Sequence, residues 1–237
     1  MARQTKIIAT LGPAVASREA IGRLVAAGMD VARLNFSHGT HETHAAWLEW
    51  VREAAEEQGR AVAVLQDIQG PRIRVGTFPE GRVELPTGAR VTLVDGEGEG
   101  TLRRIFVQHL EAAEVERGDR VLLSDGLIEV RVTRRIPGGA SGVVVQGGVL
   151  ADHKGAAFPG NRLGLPVVTE KDRVDLAFGR KIGVDLVAAS FVVSPDDIAA
   201  VRKVAGAVPV IAKIERAAAL ENLTAILAAA DGAMVAR

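Results

Sequence analysis

The stretch DVARLNFS, residues 30–37, decides the fold. Read as a strand, it places Val31, Arg33, Asn35 and Ser37 on one face and Ala32, Leu34 and Phe36 on the other, because successive side chains alternate. The apolar face suits a shell of helices. The opposite face turns polar toward the strand's C-terminal end, which is where the active sites of parallel α/β barrels assemble. Its neighbours agree. TKIIATLG (5–12) reads as a strand before it and AVAVLQD (61–67) as one after it. Helical patterns at 17–27 and 41–58 lie between them, the first with Ser17 as N-cap and with Glu19 and Gly28 as start and stop signals. Strand, helix, strand, helix, strand implies right-handed βαβ units and a parallel sheet.

At Gly70-Pro71 the texture changes. From there to Pro166, short pieces such as RVELP, RVTLVD and SGVVVQGG are separated by Gly, Pro and Asp turns, as in a small antiparallel sandwich or barrel. The Gly-rich DGEGEG (95–100) lacks the strand and helix of a phosphate-binding loop and reads as a hairpin loop. The α/β rhythm then resumes, with helix 169–182 capped by Thr169, strand 185–190, helix 194–204, strand 209–215, helix 216–230 and strand 231–236. The expected fold is α/β: a partial (β/α)8 TIM barrel with six of eight strands and an inserted small all-β lid domain. The barrel falls at 1–70 and 167–237, the insert at 71–166, and the chain is expected to be truncated at Arg237 inside the barrel.

Composition narrows the function. Lys plus Arg equals Asp plus Glu at 29 each, so no overall basic field points to nucleic acid. No apolar run reaches the roughly 18 residues of a membrane span. With no cysteine there are no disulfides or thiolate metal sites, and a cytoplasmic location is expected.

Two more strands end like 30–37. Ala61, Ala63 and Leu65 share a face with Asp67, and Ile211, Lys213 and Glu215 share one opposite Val210, Ala212 and Ile214. Either such polar ends merely reach solvent or they converge on one mouth, and three strands ending alike favour convergence. Arg33, Lys213, Asp67 and Glu215 would then gather at one mouth, where the cation pair can clamp a phosphate and a carboxylate can hold Mg²⁺. His38, His41 and His44 in SHGTHETH recur at three-residue spacing but straddle a loop and a helix start without a fourth ligand, against structural zinc. Trp47 and Trp50 read as packing along helix 41–58.

In TKIIATLGP, ARLNFSHG, DIQGPRIR, LSDGLIEV, DHKGAAFPG, EKDRVDLAFG, GVDLVAASF, AKIE and DGAMVAR the chain resembles the pyruvate kinases over essentially all its length. The resemblance implies transfer of a phosphoryl group from phosphoenolpyruvate to ADP, giving pyruvate and ATP, in a cytoplasmic homo-oligomer with Mg²⁺ or Mn²⁺ as cofactor. It implies that Arg33 grips the phosphate, Lys213 neutralises it in the transition state, and Glu215 is one of two Mg²⁺ carboxylates. It assigns Asn35, Ser37, Asp67 and the Ile68 carbonyl to a monovalent-cation pocket, and Asn35, His38, Arg74 and Lys154 to the nucleotide. Where the family has DTKGPEIR this chain has DIQGPRIR, with Arg72 at a position whose positive charge would replace K⁺. The family continues with GDLG, the second Mg²⁺ carboxylate, a catalytic threonine and a C-terminal domain, so this chain alone is expected to be inactive or weakly active. The alternatives are a non-catalytic nucleotide- or phosphate-binding protein derived from the family, and a different Mg²⁺-dependent barrel acting on pyruvate enolate. The inserted β domain and ARLNFSHG oppose the last.

Overall fold

The computed structural model describes residues 4–160 and 164–236; Arg237, where the sequence reading places the truncation, lies outside them. The chain opens with β1 (Ile8–Leu11), α1 (Arg18–Ala26), β2 (Val31–Asn35), α2 (His41–Glu57) and β3 (Ala63–Asp67). An all-β stretch follows, comprising β4 (Arg82–Leu85), β5 (Arg90–Asp95), β6 (Arg104–Val107), β7 (Arg120–Leu123), β8 (Ile128–Ile136), β9 (Gly139–Gln146), β10 (Gly148–Ala151) and β11 (Ala156–Ala157). The chain then runs through α3 (Glu170–Ile182), β12 (Leu186–Ala189), α4 (Pro195–Ala205), β13 (Val210–Ile214), α5 (Ala218–Glu221), α6 (Leu223–Ala229) and β14 (Gly232–Val235). It divides into two compact units, Arg72–Leu165 and the segments on either side of it.

In the α/β unit six strands form one parallel sheet in the order β1-β2-β3-β12-β13-β14, as in an α/β barrel. The alternation in DVARLNFS sets its layering. Ala32, Leu34 and Phe36 are buried in a cluster with Ile21 and Val25 of α1 and Trp47, Leu48 and Val51 of α2. On the other half of the sheet, Val187, Ala189, Val210 and Ala212 pack with Leu176, Ile198, Val201 and Ile226 from α3, α4 and α6. Four helices start at hydroxyl caps. Ser17 and Thr40 accept from the backbone at Ala20 and Thr43, and Thr169–Asp172 and Ser194–Asp197 form full capping boxes. Each cap stabilises its helix by about 1 kcal/mol. Gly179 sits inside α3 because β3 comes close: a Cβ there would lie 2.0 Å from Oε1 of the buried Gln66.

The expected single helix 216–230 is instead two, α5 and α6, broken at Asn222. Asn222 leaves helical geometry at φ −112° and donates its side-chain amide to the Val193 carbonyl at 2.9 Å. Asparagine competes for local hydrogen bonds in this way.

The β unit holds a six-stranded sheet, β11-β7-β8-β9-β5-β6, and a two-stranded one, β10-β4, around a core that includes Leu85, Leu93, Ile105, Leu123, Ile128 and Leu150. It is antiparallel apart from β5–β6, which is parallel, so DGEGEG is not a hairpin loop but a return between parallel neighbours. Two of its glycines, Gly98 and Gly100, meet close packing. A Cβ at Gly98 would lie 2.9 Å from the Phe106 ring, and one at Gly100 would lie 2.7 Å from the Arg104 carbonyl. Trp47 is buried and Trp50 half-buried. No helix among the described residues is long and apolar enough to cross a membrane.

Candidate active site

At the C-terminal ends of β2, β3 and β13 the three polar strand faces meet. Register places Arg33 beside Thr10 and Leu65, and Asn35 beside Asp67. The Asp67 carboxylate, 1% exposed, is the hub. Its Oδ2 accepts from Arg33 Nε at 2.8 Å and pairs with Arg33 Nη2 at 2.5 Å, while Oδ1 lies 3.0 Å from Lys213 Nζ. Lys213 also pairs with Glu215 Oε1 at 3.0 Å, and Arg33 Nη1 donates to Thr10 Oγ1 at 2.8 Å. Two cations and two carboxylates therefore form one connected network with little solvent access. Such pairing is what allows charge to be buried at all, since an isolated buried ion costs several kcal/mol or more.

Three further oxygens have partners within this unit. Asn35 Oδ1 accepts from the Ser37 amide at 3.1 Å, and the Ile68 carbonyl accepts from the Ser190 hydroxyl at 2.7 Å. Glu215 Oε2 accepts from the Phe191 amide at 2.9 Å. His38 is exposed, and its carbonyl accepts from His44 Nε2 at 2.9 Å. In the β unit, Arg74 Nη1 donates to the His153 carbonyl at 2.9 Å, and the Val75 amide donates to the Lys154 carbonyl, so Arg74 and Lys154 lie on adjoining segments. Arg72 is half-buried in that unit.

The three histidines do not form a metal site. His41 Nε2 engages Asp175 Oδ1 at 2.8 Å, His44 is stacked on Phe36, and no three acidic or histidine side chains come together as a metal site among the described residues. Burial lowers the affinity of His44 for a proton, against the pull of the His38 carbonyl and Asp175. Its Nδ1 is buried without a partner, which leaves a second proton unsupported. The unfolded chain, with a histidine pKa of about 6.5, therefore binds that proton first. Stability is expected to fall as pH drops below that value, until folded His44 also titrates, and His44→Gln should flatten the slope in urea melts at stepped pH. An unchanged slope would contradict this.

Sequence reading passed over Thr10, Ser190 and Phe191. The signal for Ser190 was the alternation of Leu186, Ala188 and Ser190 along the fourth barrel strand, the same signal that found Lys213.

The family model described as "Pyruvate kinase, barrel domain" matches residues 2–237. A pyruvate kinase of Corynebacterium glutamicum is 45% identical over 242 residues, covering 100% of this chain and 51% of its own length. Pyruvate kinases of Geobacillus stearothermophilus and Mycobacterium tuberculosis are each 43% identical, with 42% and 51% of their own lengths covered. The chain thus spans about half the length of the curated relatives it matches. A parallel barrel sheet whose strand ends gather Arg33, Asp67, Lys213 and Glu215, together with a match over nearly the whole sequence, places this chain in the pyruvate kinase family.

Proposed function

We propose that this site binds the phosphoryl group of phosphoenolpyruvate between Arg33 and Lys213 for transfer to ADP, giving pyruvate and ATP. One observation carries the reading: Asp67 ties both cations together at one mouth, within 2.8 Å of Arg33 Nε and 3.0 Å of Lys213 Nζ. Phosphoryl transfer needs positioning and fixed positive charge rather than a nucleophile, and this is a site of fixed charges. A guanidinium has five N–H donors, and Asp67 and Thr10 occupy Nε and one hydrogen on each Nη, which leaves donors for an anion. Glu215 would hold Mg²⁺ or Mn²⁺, hard cations that take carboxylate and phosphate oxygens together. Bound there, such an ion supplies positive charge to the transferring group. Asp67 is already shared between two cations, so Glu215 alone makes a weak metal site, and turnover by these 237 residues is expected to be slow.

Asn35, His38, Arg74 and Lys154 carry over as nucleotide contacts, and a cytoplasmic homo-oligomer is the expected setting for the whole enzyme. Potassium independence is expected from the positive charge of Arg72.

Calorimetric titration with phosphoenolpyruvate in Mg²⁺ tests the reading. Arg33→Met is expected to weaken binding at least about tenfold, the scale of a charge-assisted contact to phosphate. Replacing KCl by tetramethylammonium chloride should change nothing. Equal affinity in the variant would overturn the phosphate assignment, and a large K⁺ requirement would overturn the role given to Arg72.

A further inference from the structure

We propose that Ser190 is a positioning residue that fixes the direction of the Lys213 ammonium. Ser190 is 2% exposed at the end of β12. Its hydroxyl proton goes to the Ile68 carbonyl at 2.7 Å, a better acceptor than Asp67 Oδ1 at 3.4 Å, which leaves an oxygen lone pair for Lys213 Nζ at 2.7 Å. An ammonium has three N–H donors, and here three acceptors meet them: Ser190 Oγ, Asp67 Oδ1 and Glu215 Oε1.

The three acceptors are not equivalent. Glu215 is the carboxylate assigned to the metal, and Asp67 is shared with Arg33, so both are drawn on when ligands arrive. Ser190 is neutral and anchored to backbone, which makes it the partner that stays. It keeps Lys213 aimed when Glu215 is drawn away, a role that rests on the phosphotransfer reading; the hydroxyl's hold on the ammonium does not.

The end of β12 is itself held firmly. Phe191 adopts a left-handed φ of 60°, uncommon for a bulky side chain, while its amide donates to Glu215 Oε2. Opposite it, a Cβ at Gly70 would come 2.9 Å from the Phe191 ring and 3.1 Å from Ser190 Cβ. One dipeptide thus contacts both members of the Lys213–Glu215 pair, the hydroxyl taking the ammonium and the next amide taking the carboxylate.

The test uses the protein labelled with ¹⁵N-lysine. A buried, hydrogen-bonded ammonium exchanges slowly with water and gives a resonance that mobile surface lysines do not; its loss in Lys213→Met assigns it. Ser190→Ala is expected to speed its exchange at least about tenfold, since it deletes only the hydroxyl contact to a charged group, and Ser190→Thr, which keeps the hydroxyl, to bring the slow exchange back. Should the alanine variant fail to fold, Ser190→Cys removes the strong acceptor at nearly constant volume and carries the same expectation. Unchanged exchange in the folded variant would overturn the proposal. In a luciferase assay of ATP formation, Ser190→Ala is expected to lower kcat about tenfold with KM for phosphoenolpyruvate nearly unchanged, the mark of an interaction made in the transition state. A rise in KM with kcat intact would overturn the positioning role. Failure of the unsubstituted protein to bind phosphoenolpyruvate in Mg²⁺ would sink the phosphotransfer reading and leave the ammonium result to stand or fall separately.

Discussion

Asparagine in place of Asp67 is expected to lower the stability of the chain by about 3–5 kcal/mol, the cost of removing one partner from a buried charge pair. The loss comes from what remains. Lys213, with a side chain 10% exposed, and Arg33, 25% exposed, would keep their positive charges a few ångströms apart with Glu215 alone as counter-charge. The amide of asparagine offers an acceptor but no charge. Urea unfolding of the two proteins measures the difference. Lys213→Met in the Asp67→Asn background should recover part of the loss, because it removes a stranded cation along with the missing anion. A loss below about 1 kcal/mol would mean that the network is solvated and behaves like a surface ion pair.

Lys213→Met is expected to lower phosphoryl transfer by about 10³-fold or more, within the range known for a cation that stabilises transferring phosphoryl charge. Methionine keeps much of the length and apolar stem of lysine and deletes the charge, so packing at the end of β13 survives. Luciferase detection of ATP, with incubation extended for the slower protein, compares the two. Because the Arg33–Asp67 pair remains, affinity for phosphoenolpyruvate should fall far less than turnover. A loss of affinity with kcat unchanged would assign Lys213 to ground-state binding instead.

Much of this site could be read in the sequence because charge on an alternating strand is a loud signal. Arg33 in VARLN, Asp67 ending AVLQD and Lys213 in VIAKI each interrupt an apolar pattern on the face that turns inward, and register then brings them together. The N-caps Ser17 and Thr169 were legible for a similar reason, since a hydroxyl before an acidic first turn leaves little else to explain. Thr10 and Ser190 carry no charge and act through their neighbours' charges, so the alternation that places Ser190 on the inward face is a far weaker signal than a charge in the same position. The break at Asn222 depends on a carbonyl 29 residues earlier in the chain, and the path of DGEGEG depends on Phe106 and Arg104 meeting its glycines. Both are tertiary contacts, which periodicity and propensity do not contain.

The most direct test of the account is a crystal of this protein grown with phosphoenolpyruvate and Mn²⁺, examined by anomalous scattering at the manganese edge. The account predicts a manganese peak at the Glu215 carboxylate, with the phosphate against Arg33 and Lys213 and the Ser190 contact to Lys213 intact. A phosphate bound away from Lys213, or manganese bound elsewhere with Glu215 still paired to the lysine, would contradict it.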